Sequence, residues 1–154
     1  MDSKRQRLVQ AVRTAIAGQK SEREILQKAV ELIDAFSADF NWTGTYMMRD
    51  GVLEIEPYIG PRTEHTRIEL NAGICGAAAT QKKSVIVDDV NADPRFLACS
   101  LTTRSEIVVP LMDGQTCLGE IDIDSDKPSY FTDDDRRMLE EIATVVVDRL
   151  KQIS

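Results

Sequence analysis

Cys75 and Cys99 are the side chains of this sequence best suited to chemistry, and they stand 24 residues apart. Cys75 lies in Gly73-Ile74-Cys75-Gly76 near the start of a predicted short helix. Backbone N–H groups and the positive end of a helix dipole lower a thiol pKa there and raise the thiolate fraction. Cys99 follows Asp93-Pro94-Arg95-Phe96-Leu97-Ala98 in a predicted loop, where a thiol can be reached. A single buried cysteine is commonly a small apolar filler, but two that could border one roof cavity favour thiol chemistry. Cys117 begins a predicted strand with no polar constellation around it and reads as structural.

Three acids, Glu106, Asp122 and Asp124, fall on the two strands of one predicted hairpin. Alternation in Glu120-Ile121-Asp122-Ile123-Asp124 puts the isoleucines on one face and Asp122 and Asp124 on the other. Burying unpaired carboxylates is costly, so that face is either open to water or grips a cationic or proton-donating ligand. Trp42 and Tyr46, four apart on a predicted strand, share a face as the walls of a ligand cage would. His65 precedes a short predicted strand, and Arg67 beside it could hold an anionic group.

The elements that must position these residues follow from periodicity. Leu8, Val12 and Ile16 mark an N-terminal helix within residues 1–20, and Ser21 with Glu24 forms a capping box ahead of a second helix carrying Ile25, Ala29, Leu32, Ile33 and Phe36. Asp50-Gly51 and Asp113-Gly114 each join two runs of strand character, the signal of a hairpin. Between the hairpins come a short helix from Gly73, a brief strand at Ser84–Val87 and a loop with one helical turn. Thr132 and Asp135 then cap a long helix over 132–153, striped with Leu139, Ile142, Ala143, Val146 and Leu150. The reading is one α+β domain over residues 1–154. An antiparallel β-sheet carries the N- and C-terminal helices on one face and a loop and short-helix roof over a pocket on the other. The stripes on the first and last helices suggest a homodimer paired as a bundle.

Composition narrows the function classes. A net charge of −7 and a pI near 4.8 repel a phosphate backbone, so no nucleic-acid partner is expected. No segment reaches spanning length and no export signal is recognisable, which predicts a cytoplasmic protein away from the membrane with reduced cysteines. His65 and the three scattered cysteines match none of the usual zinc spacings, so no metal and no bound cofactor are expected.

The segments Asn41–Tyr46, His65–Thr80, Asp88–Ser100, Thr103–Leu111 and Gly119–Asp135 together resemble the GAF family. Within it they are most similar to the free methionine-(R)-sulfoxide reductases, from about Trp42 to the C-terminus. The resemblance implies that Cys99 is the nucleophile attacking the sulfoxide sulfur, with release of methionine. It implies that Cys75 can resolve the resulting sulfenic acid as a disulfide, and that an external thiol reductant such as thioredoxin restores both thiols. Glu106, Asp122 and Asp124 match acids that bind the amino group or the polarised sulfoxide, and Trp42 matches an aromatic wall. Tyr46, His65 and Ser100 line the same presumed substrate pocket. Three departures are visible. His65 stands where the reductases carry an upstream cysteine, Ser100 follows the nucleophile where they carry Asp, and Asn91–Leu97 replaces their usual approach to it. The alternative reading is a stand-alone sensor that binds a small polar ligand in the same pocket and signals through a partner.

Overall fold

Period-two alternation along the strands sorts the core into two layers. The computed structural model describes residues 1–96 and 102–154. Its elements are α1 (Ser3–Ile16), α2 (Glu22–Asp34), β1 (Trp42–Arg49), β2 (Val52–Ile59), β3 (Arg67–Glu69), α3 (Gly73–Gln81), β4 (Val85–Val87), β5 (Ser105–Asp113), β6 (Thr116–Ser125) and α4 (Asp133–Ile153). The six strands form one antiparallel sheet in the order β3-β2-β1-β6-β5-β4. The α+β architecture is the expected one, and a single turn of 3₁₀ helix at Val90–Ala92 supplies the predicted helical turn.

On one face Ile107, Val109, Leu111, Ile121 and Ile123 meet the apolar stripes of α1, α2 and α4. Each such isoleucine is worth about 1.5–3 kcal/mol on burial, so this layer anchors the fold. The stripes of α1 and α4 are spent within the chain, on each other and on the sheet. The apolar surface that suggested a helix bundle between two copies is therefore already covered, and the outward positions of α1 are polar or alanine. On the other face, Trp42, Tyr46, Leu53, Ile68, Val87 and Val108 pack with Ile74, Cys75, Ala78 and Ala79 of α3. Among the described residues no helix is long and apolar enough to cross a membrane.

The local signals act as their chemistry requires. Asp50 and Gly51 both adopt positive φ, 51° and 79°, which is the type I′ pattern that suits the twist of a two-residue hairpin. In the second hairpin Asp113 pairs with Thr116 and belongs to the strand. The turn is therefore Gly114-Gln115, shifted by one residue from the expected Asp-Gly, with positive φ at Gly114 alone. Thr132 and Asp135 form a full capping box on α4, and Arg5 of α1 reaches the same Asp135 at 2.7 Å. At α2, Ser21 accepts from the Glu24 amide, while the return arm is a hydroxyl–carboxylate bond of 2.8 Å between the same two side chains. The first helix begins with an Asp2 cap and stops at Ile16, inside the expected 1–20 range.

Gly44 lets the Trp42 ring lie flat along β1. A β-carbon at Gly44 would fall inside the van der Waals envelope of the indole and of Tyr58 Cβ. Trp42 then stacks on Tyr58 with centroids 5.2 Å apart and on Tyr46 at 6.3 Å. Gly44→Ala is expected to cost about 1–3 kcal/mol, seen as a lower urea midpoint at an unchanged m-value. An unshifted midpoint would mean that the indole is not confined by this strand.

Candidate functional site

Strand register builds the site in rows. Across β1, β6 and β5, Trp42 lies opposite Asp124, which lies opposite Glu106; one step along, Gly44 faces Asp122 and Asp122 faces Val108. A further step pairs Tyr46 with Glu120 and Glu120 with Pro110. Period two therefore carries Glu120, Asp122 and Asp124 along one face of β6, beside Glu106 on β5. Sequence reasoning missed Glu120, although it is in phase with Asp122 and Asp124 in the same alternating run.

The short helix α3 closes over this row. Gly76 makes the approach possible, since a β-carbon there would sit 2.8 Å from the Glu69 carbonyl oxygen and 2.9 Å from that of Leu70. The helix thus lodges against the end of β3, and Cys75 points down onto the acids. Its thiol donates to Asp122 Oδ2 at 3.3 Å. Glu106, Glu120, Asp122 and Asp124 are all at most 3% exposed. A cavity of about 10 Å³ remains, bounded by His65, Ile68, Gly73, Ile74, Cys75, Glu106 and Asp122.

The aromatic walls are held by their polar ends. The Trp42 indole N–H donates to the Pro61 carbonyl at 3.0 Å, and the Tyr46 hydroxyl donates to the His65 carbonyl at 2.9 Å. The second bond fixes the segment that presents the half-buried His65 to the cavity. Arg67 takes no part: it pairs with Glu54 at 3.4 Å on the exposed edge of the sheet, so the anion-holding role considered for it is not met. Cys117 donates to the Gly119 carbonyl at 3.3 Å and does not line the cavity, in keeping with a structural role. Cys99 and Ser100 lie outside the described residues. Of the expected site residues, the fold brings together Cys75, Glu106, Asp122 and His65 at the cavity, with Asp124, Trp42 and Tyr46 on the same face of the sheet.

The sequence pattern of the GAF domain matches residues 21–150. The chain belongs to the GAF domain family. GAF domain-containing protein A of Dictyostelium discoideum is 39% identical over 105 residues, or 68% of this chain and 66% of that protein, so the chain spans just under two thirds of that relative. The free methionine-R-sulfoxide reductase of Escherichia coli is 32% identical over 127 residues, 82% of this chain and 76% of that enzyme. The X-ray structure of free methionine-R-sulfoxide reductase from Neisseria meningitidis in complex with its substrate has a TM-score of 0.92 and 29% identity, covering 99% of this chain and 93% of that one.

Electrostatics in this GAF domain overturn one expectation. Cys75 is the third residue of α3, where a helix dipole would lower its pKa. Burial instead pushes the thiol well above its ordinary range, and the negative charges of Asp122, Glu120 and Glu106 add to the effect. Desolvation and three carboxylates outweigh one short helix, so Cys75 rests as a protonated donor. Burial likewise pushes Glu120 well above the usual carboxylate range, the nearby Cys75 thiol opposing the rise and the Asp122 charge adding to it. The thiol has one proton, and its geometry directs that proton to Asp122. Glu120 lies close enough to feel the sulfur, yet neither of its oxygens has a hydrogen-bond partner among the described residues. Asp122 is raised by burial, with its bonds to Glu106 and Cys75 pulling the other way.

These shifts fix the sign of a pH effect. Glu120 and Asp122 hold protons more tightly folded than unfolded, so above the ordinary carboxylate pKa of about 4 the folded chain binds more protons than the unfolded one. Stability from these two groups therefore falls as pH rises from there toward their raised values. Glu120→Gln is expected to gain stability over the wild type at about pH 7 and to lose that advantage below about pH 4. Urea denaturation of both proteins at the two pH values checks this; no gain at the higher pH would mean that the Glu120 charge is already compensated.

Proposed function

We propose that this GAF domain reduces free methionine-(R)-sulfoxide in the cytoplasm, with Cys99 as nucleophile, Cys75 as resolving thiol and a thioredoxin-like dithiol as reductant. The observation that carries the reading is the row of buried carboxylates with the Cys75 thiol hydrogen-bonded to Asp122. Such a face suits a small ligand that brings its own positive charge and a basic oxygen, as a free amino acid sulfoxide does. The reductase names of the Escherichia coli and Neisseria meningitidis relatives support the same choice.

The chemistry divides among the residues. The Cys99 thiolate attacks the sulfoxide sulfur, and an acid held protonated by burial supplies the proton that the departing oxygen needs. Asp122 is that acid, because its proton affinity is raised and it lies on the cavity. Oxygen ends on Cys99 as a sulfenic acid and methionine is released. Cys75 then attacks the sulfenic sulfur, and Asp122 relays its proton to the hydroxyl, which leaves as water while the disulfide forms. Glu106 and Asp124 receive the substrate ammonium against the Trp42 and Tyr46 wall, with His65 and Ser100 completing the pocket. The reductant returns the disulfide to two thiols.

A sensor reading, binding a small polar ligand in the same pocket, is favoured by one observation, His65 at the cavity where the reductases carry a cysteine. The two readings separate in a turnover assay with both epimers of free methionine sulfoxide and a dithiol. The wild type is expected to form methionine from the R epimer alone, and Cys99→Ser to lose on the order of 100-fold or more. Cys75→Ser is expected to lose turnover with thioredoxin and keep it with a small monothiol. No methionine from either epimer would leave the sensor.

A further inference from the structure

We propose that Cys75, Asp122, Glu106 and His65 form a binding site for one thiophilic divalent cation, zinc being the ion whose chemistry fits. Ligand atoms of Cys75, Glu106 and Asp122 all lie within 4.8 Å of one another. In a tetrahedral zinc site, with metal–sulfur and metal–oxygen bonds of about 2.3 and 2.1 Å, neighbouring ligand atoms stand roughly 3.5 Å apart. Cys75 Sγ and Asp122 Oδ2, at 3.3 Å, already have that edge length. His65 borders the same cavity from the β2–β3 connection, outside that three-residue cluster, and its imidazole must turn inward to serve as the fourth ligand.

Two further observations point to a cation. Asp122 Oδ1 and both Glu120 oxygens are buried with no hydrogen-bond partner among the described residues. Neither acid pairs there with a lysine, arginine or histidine. A buried carboxylate oxygen left this way costs several kcal/mol, and a divalent ion bound at Asp122 removes that cost there and offsets the charge of the neighbouring Glu120. The cavity of about 10 Å³ matches one ion, being near the smallest space that holds a single water. The ligand set decides which ion. One thiol and one imidazole with carboxylates suit zinc and exclude a preference for magnesium or calcium, which take oxygen ligands only.

Binding replaces the thiol proton by the metal, so the Cys75 proton is released and the sulfur is held as a thiolate. The ion then occupies the resolving thiol and Asp122 together. Where the reductase reading holds, and only there, zinc makes the domain a reversible on–off element for its own redox cycle.

Cobalt(II) is the probe, because a thiolate ligand gives sulfur-to-cobalt charge-transfer absorption and a tetrahedral site gives intense d–d bands. Titration of the reduced protein is expected to saturate at one cobalt per chain, with displacement by one zinc. Cys75→Ser should abolish the charge-transfer band. His65→Ala, at a half-buried position whose loss leaves the core intact, should weaken binding on the order of 10-fold or more. Cys117→Ser should bind as the wild type does. The proposal is overturned by the absence of a thiolate–cobalt band, by a band that survives Cys75→Ser, or by one that disappears with Cys117→Ser. Turnover measured separately keeps the two readings apart: reduction of the sulfoxide without metal binding overturns the zinc site alone, and metal binding without turnover overturns the reductase reading alone.

Discussion

Carboxylates buried on the inner face of a strand are the constraint around which this domain is arranged. A strand with one buried face ordinarily alternates apolar and polar residues, with the polar ones in water. Here β6 is covered on both faces. Ile121 and Ile123 lie under three helices, while Glu120, Asp122 and Asp124 are buried on the other face, where Cys75 of α3 meets Asp122. The apolar layer stabilises the sheet strongly enough to hold a second face that opposes folding when its acids ionise. Stability is thereby exchanged for a pocket whose protonation state is unlike that of surface carboxylates.

The remaining elements serve that face. Gly44 clears a path for the Trp42 ring, Gly76 brings α3 down to the sheet, and the Tyr46 hydroxyl secures the segment bearing His65. Each works by permitting or fixing a close approach, and none supplies a charge. The effect on Cys75 is the clearest result of this packing. Its position near a helix N-terminus is outweighed by burial against three acids, so its thiol serves as a donor poised to transfer a proton to Asp122.

The cavity lies on the face of the sheet opposite the terminal helices. The catalytic reading and the cation site use the same residues for different reasons. An ammonium, a sulfoxide oxygen and a divalent metal each answer the same deficit, buried negative or polar oxygen atoms that need a positive or proton-bearing partner. Size distinguishes them, since an ion enters the cavity as it stands and an amino acid requires the roof to yield.

Hydrophobic period and turn chemistry carried much of the fold in the sequence itself. The α2 and α4 caps, the Asp50-Gly51 turn, the opposition of Ile121 and Ile123 to Asp122 and Asp124, and the common face of Trp42 and Tyr46 all depend on neighbours close along the chain. The position of the second turn, one residue past Asp113, depended on which residues paired across the hairpin, and propensity does not encode that register. Glu120 was legible by alternation, yet its isolation is a fact of burial. The Cys75 thiol was misjudged because its pKa is set by acids 31 to 47 residues away in the chain, brought within a few ångströms by strand pairing. Likewise the cation site draws its ligands from α3, β5, β6 and the β2–β3 connection, so no local spacing announces it. Local order wrote the elements and their faces; only the folded sheet, by bringing distant charges together out of water, decided what those faces can bind.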